Sequence, residues 1–444
     1  MPWSVLYALD AFSILIFAFS YWMSCYRRGY RIDFWHVNLF LLCVFPNMFM
    51  LPFAHSDLNG VILGRDFAGV MSALPFIYLV TLAGYFSMLA GGGLWRLRLG
   101  IGIRSSVMPV LRFPYRLSMM MMESRKVLLF QVGLCLLLQA LVLTIYFLHQ
   151  GIGFDLRAYT FANPALRPVA LLASNYSITI ASYCLARYID KKERLLLACT
   201  IFLTLGLVFF GSRSNIVQIY VTILICYMVK LRTRVSLLRI FSLGLGSIAF
   251  ILYLGNVRAG QYSLLVFAAG AVFLIFFGNT FSDLRDFAWV YSTWNHNFWA
   301  GKTYLAGVMA FVPRFLSDFR DTWSIGVATA TTAGFDPAVH PGLRPGIFGE
   351  GYFNFGFAGV VVVGLMLGIV ARRVDTDVKR ALASDRPSMM EAYASTTLAG
   401  IVSSVVLSVG FSGLYVLVVI LLFSWVCLGV VRLIEVSPSA LPMQ

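Results

Sequence analysis

Apolar stretches about 20 residues long, recurring from one end of the chain to the other, constrain this sequence more than any other feature. A helix needs roughly 20 mainly apolar residues to cross about 30 Å of hydrocarbon, and in lipid the backbone must satisfy its own hydrogen bonds. Segments of this kind lie near 4–24, 36–54, 67–90, 127–148, 168–187, 195–211, 215–230, 238–256, 353–371, 389–409 and 411–432. The expectation is an all-α polytopic membrane protein with about eleven transmembrane helices, in the range of about ten to thirteen. Composition agrees, since 60% of residues are hydrophobic and 12% charged, whereas about a quarter are charged in soluble domains.

The formal net charge of +15 first suggests a nucleic-acid partner, but its distribution points elsewhere. With the N-terminus outside, 24 of the 34 Lys and Arg fall in segments that alternate to the inside, among them 25–35, 91–126, 187–194, 230–239 and 372–388. Such an excess is the ordinary orientation signal of a membrane protein. It predicts an N-terminus outside, a C-terminus inside and no nucleic acid. Arg372 and Arg373 read as solvated inside charges, and the GGG run at 91–93 as a flexible start to an inside loop. The stretch 4–24 lacks a charged leader and a small-residue cleavage site, so it reads as a retained span. Seven cysteines without a CxxC pair predict neither a disulfide framework nor a zinc site, and no histidine spacing suggests metal ligation.

Ten cations remain on the outer side: Arg65, Arg157, Arg167, Arg213, Arg258, Arg285, Lys302, Arg314, Arg320 and Arg344. Nine of these ten are Arg, whose planar fork can hold a phosphate through two hydrogen bonds. Arg213 in GSRS, Arg157 in DLRAYT, Arg258 in GNVRAG and Arg65 in LGRD all sit at span ends on that side, as a basin for an anionic group would require. The apolar stretch 264–281 reads as re-entrant or lying along the outer leaflet rather than spanning, and 283–298, dense in aromatics, suits an interfacial helix. The chain then divides into an N-terminal bundle (1–256), a re-entrant segment with one large extracytoplasmic loop (257–352) and C-terminal spans (353–444).

The loop around 310–359 holds the remaining candidates. Arg314 follows Pro313 directly after an apolar run and so is delivered close to the membrane surface, and His340 precedes the stiff PGLRPG turn that contains Arg344. Glu350 in GIFGEGYFNFGFAG stands between glycines just before a span, where a carboxylate can orient a sugar hydroxyl or act as general base, with Tyr352 and Asn354 as hydrogen-bonding neighbours. Walker A, HExxH and GxSxG signatures are absent from the sequence.

GSRS opening a span, the earlier RAYT, then WAGKTYLAGVMAFVPRF and finally PGIFGEGYFNFGFAG, in that order, resemble the O-antigen and oligosaccharide repeat-unit polymerases of the Wzy kind. The resemblance implies a GT-C-like integral-membrane glycosyltransferase of the inner membrane, which makes the N-terminus periplasmic and the C-terminus cytoplasmic. Such an enzyme moves a growing glycan from undecaprenyl diphosphate onto a new carrier-linked unit, with no cofactor or metal. It implies catalytic roles for Glu350, Arg213 and Arg314, and substrate contacts from Arg157, Tyr159, Arg258, Lys302, Tyr304, His340, Arg344, Tyr352 and Asn354. A chain-length regulator and a flippase are the partners it implies. Two alternatives stand beside it: an O-antigen ligase, and a transporter of the lipid-linked unit. A transporter is disfavoured by charges that crowd one face and by the lack of an internal repeat.

Overall fold

The computed structural model describes residues 2–28, 34–58, 67–96, 103–151, 165–210, 281–309, 316–337, 342–381, 388–404 and 408–436, with short pieces between them, and these are helical with no strand among them. Six of the described helices are long and apolar enough to cross a membrane: Trp3–Ser24, Phe34–Leu58, Ala68–Leu94, Arg125–Gln150, Arg167–Lys191 and Gly346–Thr376. Two shorter apolar helices, Arg194–Phe209 and Leu417–Val431, fall on two more expected spans, and a helix at Met389–Ser404 falls on a third. The expected spans 215–230 and 238–256, and most of 264–281, lie outside the described residues.

The chain forms two compact units. The first comprises Met1–Gly102, Leu265–Asp377 and Ala399–Tyr415, and the second Ile103–Leu264, Val378–Leu398 and Val416–Gln444.

In the first unit, α1 (Trp3–Arg28) is followed by α2 (Phe34–Leu39), a π-helical stretch (Phe40–Phe49) and α3 (Leu51–Leu58). Pro46 lies inside the π-helical stretch; it has no N–H to donate, and a slip of register there takes up the missing bond. α4 (Ala68–Arg96) is the central helix, buried along most of its length. It meets the long helix Gly346–Ala381 at glycines. A Cβ on Gly364 would lie 2.6 Å from the carbonyl of Gly84, one on Gly368 2.2 Å from that of Met88, and one on Gly91 2.3 Å from that of Leu365. Lipid supplies little hydrophobic drive between helices, so close backbone approach at small residues has to provide the packing. The GGG run is therefore not a flexible loop, as expected, but part of α4 at this crossing, with Gly92 against the Trp35 ring.

A second expectation also fails. Arg372 and Arg373 are buried, at 4% and 9% exposure. The Arg372 guanidinium lies 5.1 Å from the Trp35 ring centre and 3.6 Å from Asp375, whose other oxygen is 3.5 Å from the Trp35 N–H at the start of α2. A charge run at the end of an apolar helix resembles a solvated face in sequence. Here the turn of helix beyond the apolar stretch is covered by α2, and its charges find partners there.

In the second unit, α5 (Ile103–Glu123), α6 (Arg125–Gln150), α7 (Arg167–Lys191) and α8 (Arg194–Phe209) pack together. Ser124 caps α6 by accepting from the Val127 N–H, as a short hydroxyl does at an N-cap. Gln139, at 3% exposure, donates to Ser177 Oγ at 2.9 Å and to the Leu203 carbonyl at 3.2 Å, tying three helices at one buried amide. Arg187 donates to the last carbonyls of α5, at Met122 and Glu123, and pairs with Glu193 at 2.8 Å. Positive charge at a helix C-terminus is favoured by the orphan carbonyls and the dipole there.

The remaining helices of the first unit are short: α9 (Asp283–Thr293), α10 (Lys302–Val308), α11 (Phe319–Trp323) and α12 (Ile325–Thr332). They lead into α13 (Gly346–Ala381). α9 forms where an interfacial helix was expected, with Leu284, Phe287, Ala288 and Val290 buried in the unit's core.

Candidate functional site

Helix α13 begins at Gly346, not at the residue 353 expected for a span, so Glu350 stands on a helix and not in a loop. The helix is broken at Phe355 and Gly356, whose φ of +63° suits only a residue without a Cβ. Beyond the break the chain folds back on itself. A Cβ on Gly359 would lie 2.2 Å from the Gly351 carbonyl oxygen, although eight residues along a straight helix would be about 12 Å apart. The short arm 346–354 is thus turned against the start of the long arm.

The carbonyls at the end of the short arm are satisfied from outside. The Trp299 N–H donates to the Phe353 carbonyl at 2.9 Å and the Ala300 N–H to the Asn354 carbonyl at 3.1 Å. This docking turn carries two non-glycine residues in the left-handed region, His296 (φ +61°) and Ala300 (φ +50°), followed by Gly301 (φ +81°). Such conformations cost on the order of 1 kcal/mol or more each and persist where surrounding contacts impose them. Their effect here is to start α10 directly beside Glu350.

Four polar side chains converge as a result. Glu350 is 3% exposed, Thr303 0% and Asn354 1%. Thr303 Oγ1 donates to Glu350 Oε1 at 2.8 Å, and Asn354 Nδ2 donates both to Thr303 Oγ1 at 2.8 Å and to the Glu350 carbonyl at 2.9 Å. Tyr304 lies alongside, its ring stacked on Phe355 at 6.3 Å between centres. Burial first, and then the Glu350 carboxylate, push the Tyr304 hydroxyl well above its usual pKa. Tyr304 Oη and Asn354 Oδ1 are buried without a hydrogen-bond partner among the described residues. An unmet buried polar group is costly until something bonds it.

Other expected site residues are placed elsewhere. Tyr352, two positions from Glu350, is about 200° around the helix and joins an aromatic group with Tyr291, Trp294, Phe287 and Phe76. Lys302 directs its ammonium onto the Trp323 ring, 4.2 Å from the centre. His340 stacks on Phe335 at 4.4 Å and accepts from the Gly342 N–H, so it shapes the PGLRPG turn. Arg344, itself exposed, adjoins a largely buried ionic group through its main chain: its backbone N–H donates to Asp286 Oδ2 at 3.1 Å, and Ser282 Oγ donates to the same oxygen at 2.8 Å. Arg285 pairs with Asp57 at 2.6 Å in this group. Asp283, beside Arg344, has its pKa pushed up to about 6, by burial above all and secondarily by Asp286. Tyr159 lies in the second unit, packed on Tyr146 at 5.5 Å. Arg157, Arg213, Arg258 and Arg314 lie outside the described residues.

Sequence reasoning missed Thr303, Asp57 and Asp286. Thr303 adjoins Lys302 and Tyr304 in the GKTY stretch, and that adjacency was the available signal. Among the described residues there is no cluster of three or more His, Cys, Asp or Glu able to hold a metal ion. Compared with protein-family models, with curated proteins and with solved structures, the chain matches none.

Proposed function

We propose that this chain is a polysaccharide polymerase that joins undecaprenyl-diphosphate-linked oligosaccharide units at the periplasmic face of the inner membrane. One observation carries the reading. Of the three stretches in which the resemblance is most specific, GKTY, PR and GEGYFNFG, the first and last are distant in sequence, yet Thr303 of one and Glu350 and Asn354 of the other meet in a single buried hydrogen-bonded group. A buried carboxylate next to unmet polar atoms suits an acceptor sugar. In this reading Glu350 takes the proton of the acceptor hydroxyl as its oxygen bonds to the donor's anomeric carbon. The bond from that carbon to the lipid diphosphate breaks, and the diphosphate leaves with the electron pair.

The leaving group is a good one, so the remaining need is positive charge where its negative charge develops. The outer-side arginines, Arg213 and Arg314 foremost, fill that role in the proposal. The energy resides in the lipid-diphosphate bond, so no nucleotide site is required. The eleven-span GT-C-like topology, with the N-terminus periplasmic, belongs to the same proposal.

The test is a gel of surface polysaccharide from a deletion strain complemented with Arg213→Ala or Arg314→Ala. The expected result is loss of long chains, leaving core capped by a single repeat, with the protein still in the membrane. Bare core would indicate a ligase instead, and normal chain lengths in both variants would remove the arginine role.

A further inference from the structure

The hydrogen bonds around Glu350 have a fixed direction. The Asn354 amide nitrogen can only donate, and Thr303 Oγ1 receives one of its hydrogens at 2.8 Å. A hydroxyl has a single hydrogen, and with its oxygen engaged as acceptor, that hydrogen goes to Glu350 Oε1, also 2.8 Å away. The chain of donors therefore runs from Asn354 through Thr303 and ends on the carboxylate. Neither end can drift. Asn354 is fixed by its second bond to the Glu350 carbonyl, and Thr303 is fixed on the first turn of α10, which follows the turn docked on the Phe353 and Asn354 carbonyls. The β-branched side chain adds its own stiffness at χ1.

We propose that Thr303 is a positioning residue for the Glu350 carboxylate: it holds Oε1 in place, so that the carboxylate meets the acceptor hydroxyl in one orientation. This rests on the reading of Glu350 as the proton acceptor. Thr303 does not touch the reacting atoms; it acts through Glu350. Valine at this position would keep the shape and the stiffness and remove the hydrogen that Thr303 gives the carboxylate. Serine would keep that hydrogen and lose a methyl group.

The experiment uses the full-length protein in liposomes, with a synthetic lipid-diphosphate-linked oligosaccharide as both donor and acceptor, and compares Thr303→Val, Thr303→Ala, Thr303→Ser and Glu350→Gln with the unaltered chain. The expected result is that Thr303→Val and Thr303→Ala lower kcat by about 100-fold, as misplacement of a catalytic group does, while KM changes by less than about 3-fold, and that Thr303→Ser recovers most of kcat. Unfolding temperatures in detergent identify any variant that is not folded, and Thr303→Ser, the mildest change, then decides the matter by its kcat alone. Wild-type kcat in Thr303→Val, or a Thr303→Ser enzyme as slow as Thr303→Val, overturns the inference. Full activity in Glu350→Gln overturns the underlying reading of Glu350 instead, so the two failures are told apart.

Discussion

Asp283 and Asp286 stand three residues apart on the first turn of α9. Asp286 accepts from Ser282 Oγ and the backbone N–H of Arg344, and both carboxylates lie near a helix N-terminus, where negative charge is favoured. Asp283 nevertheless holds its proton up to about pH 6, because burial outweighs Arg344 and Asp286 adds like charge. The folded state thus binds more protons than the unfolded chain between the ordinary carboxylate pKa of 3.8 and about 6, and stability falls as pH rises through that window. Asp283→Asn should abolish this slope and stabilise the protein at neutral pH by on the order of 2 kcal/mol. Unfolding temperatures measured in detergent across that window check it, and an unchanged slope contradicts it. Residues of this kind were only partly legible in the sequence. Arg285 showed as an outer-side cation out of place, but its partner Asp57 is 228 positions away, a distance at which no local pattern operates. Glu350 was legible because glycines flank it and a span follows. Thr303 was legible only through its neighbours Lys302 and Tyr304, since its own bond to Glu350 exists only once α10 is folded against α13.

Helices are the scale at which the sequence was most informative. Apolar length alone located the six described helices able to cross a membrane, because the requirement it reads is that of the bilayer and not of any partner. Boundaries beyond the apolar stretch were less legible: α13 starts seven residues ahead of the expected span and carries buried Arg372 and Arg373 past its end. Hydropathy is blind to both, since glycine-rich and charged turns fall below any apolar threshold while remaining helical. The pairing of α4 with α13 was not read from the sequence; it rests on Gly364 and Gly368, four apart, which approach the α4 backbone at Gly84 and Met88. Gly368→Val should put methyl groups into the Met88 carbonyl and separate the two helices, at about 3 kcal/mol or more. A fall in unfolding temperature and in the yield of monodisperse protein in detergent would register this. The same change at Gly429, where a Cβ meets nothing within 4 Å, serves as the neutral comparison.

At the scale of the whole molecule, the arginines expected on the outer side are proposed to hold a lipid diphosphate, and the folded-back helix to present its carboxylate to the acceptor sugar. The first half comes from charge distribution along the chain, which the positive-inside tendency does not explain. The second comes from the structure of the first unit, where a break at Gly356, a strained turn at 296–301 and the short helix α10 together bury one carboxylate among groups that can orient it. The most direct measurement is polymerisation by the purified protein in liposomes, supplied only with undecaprenyl-diphosphate-linked repeat units and followed by the mass of the glycan released from its carrier. The account predicts a ladder of multiple repeats from the unaltered chain and single repeats only from Glu350→Gln. Single repeats from both, or the same ladder from both, would contradict it.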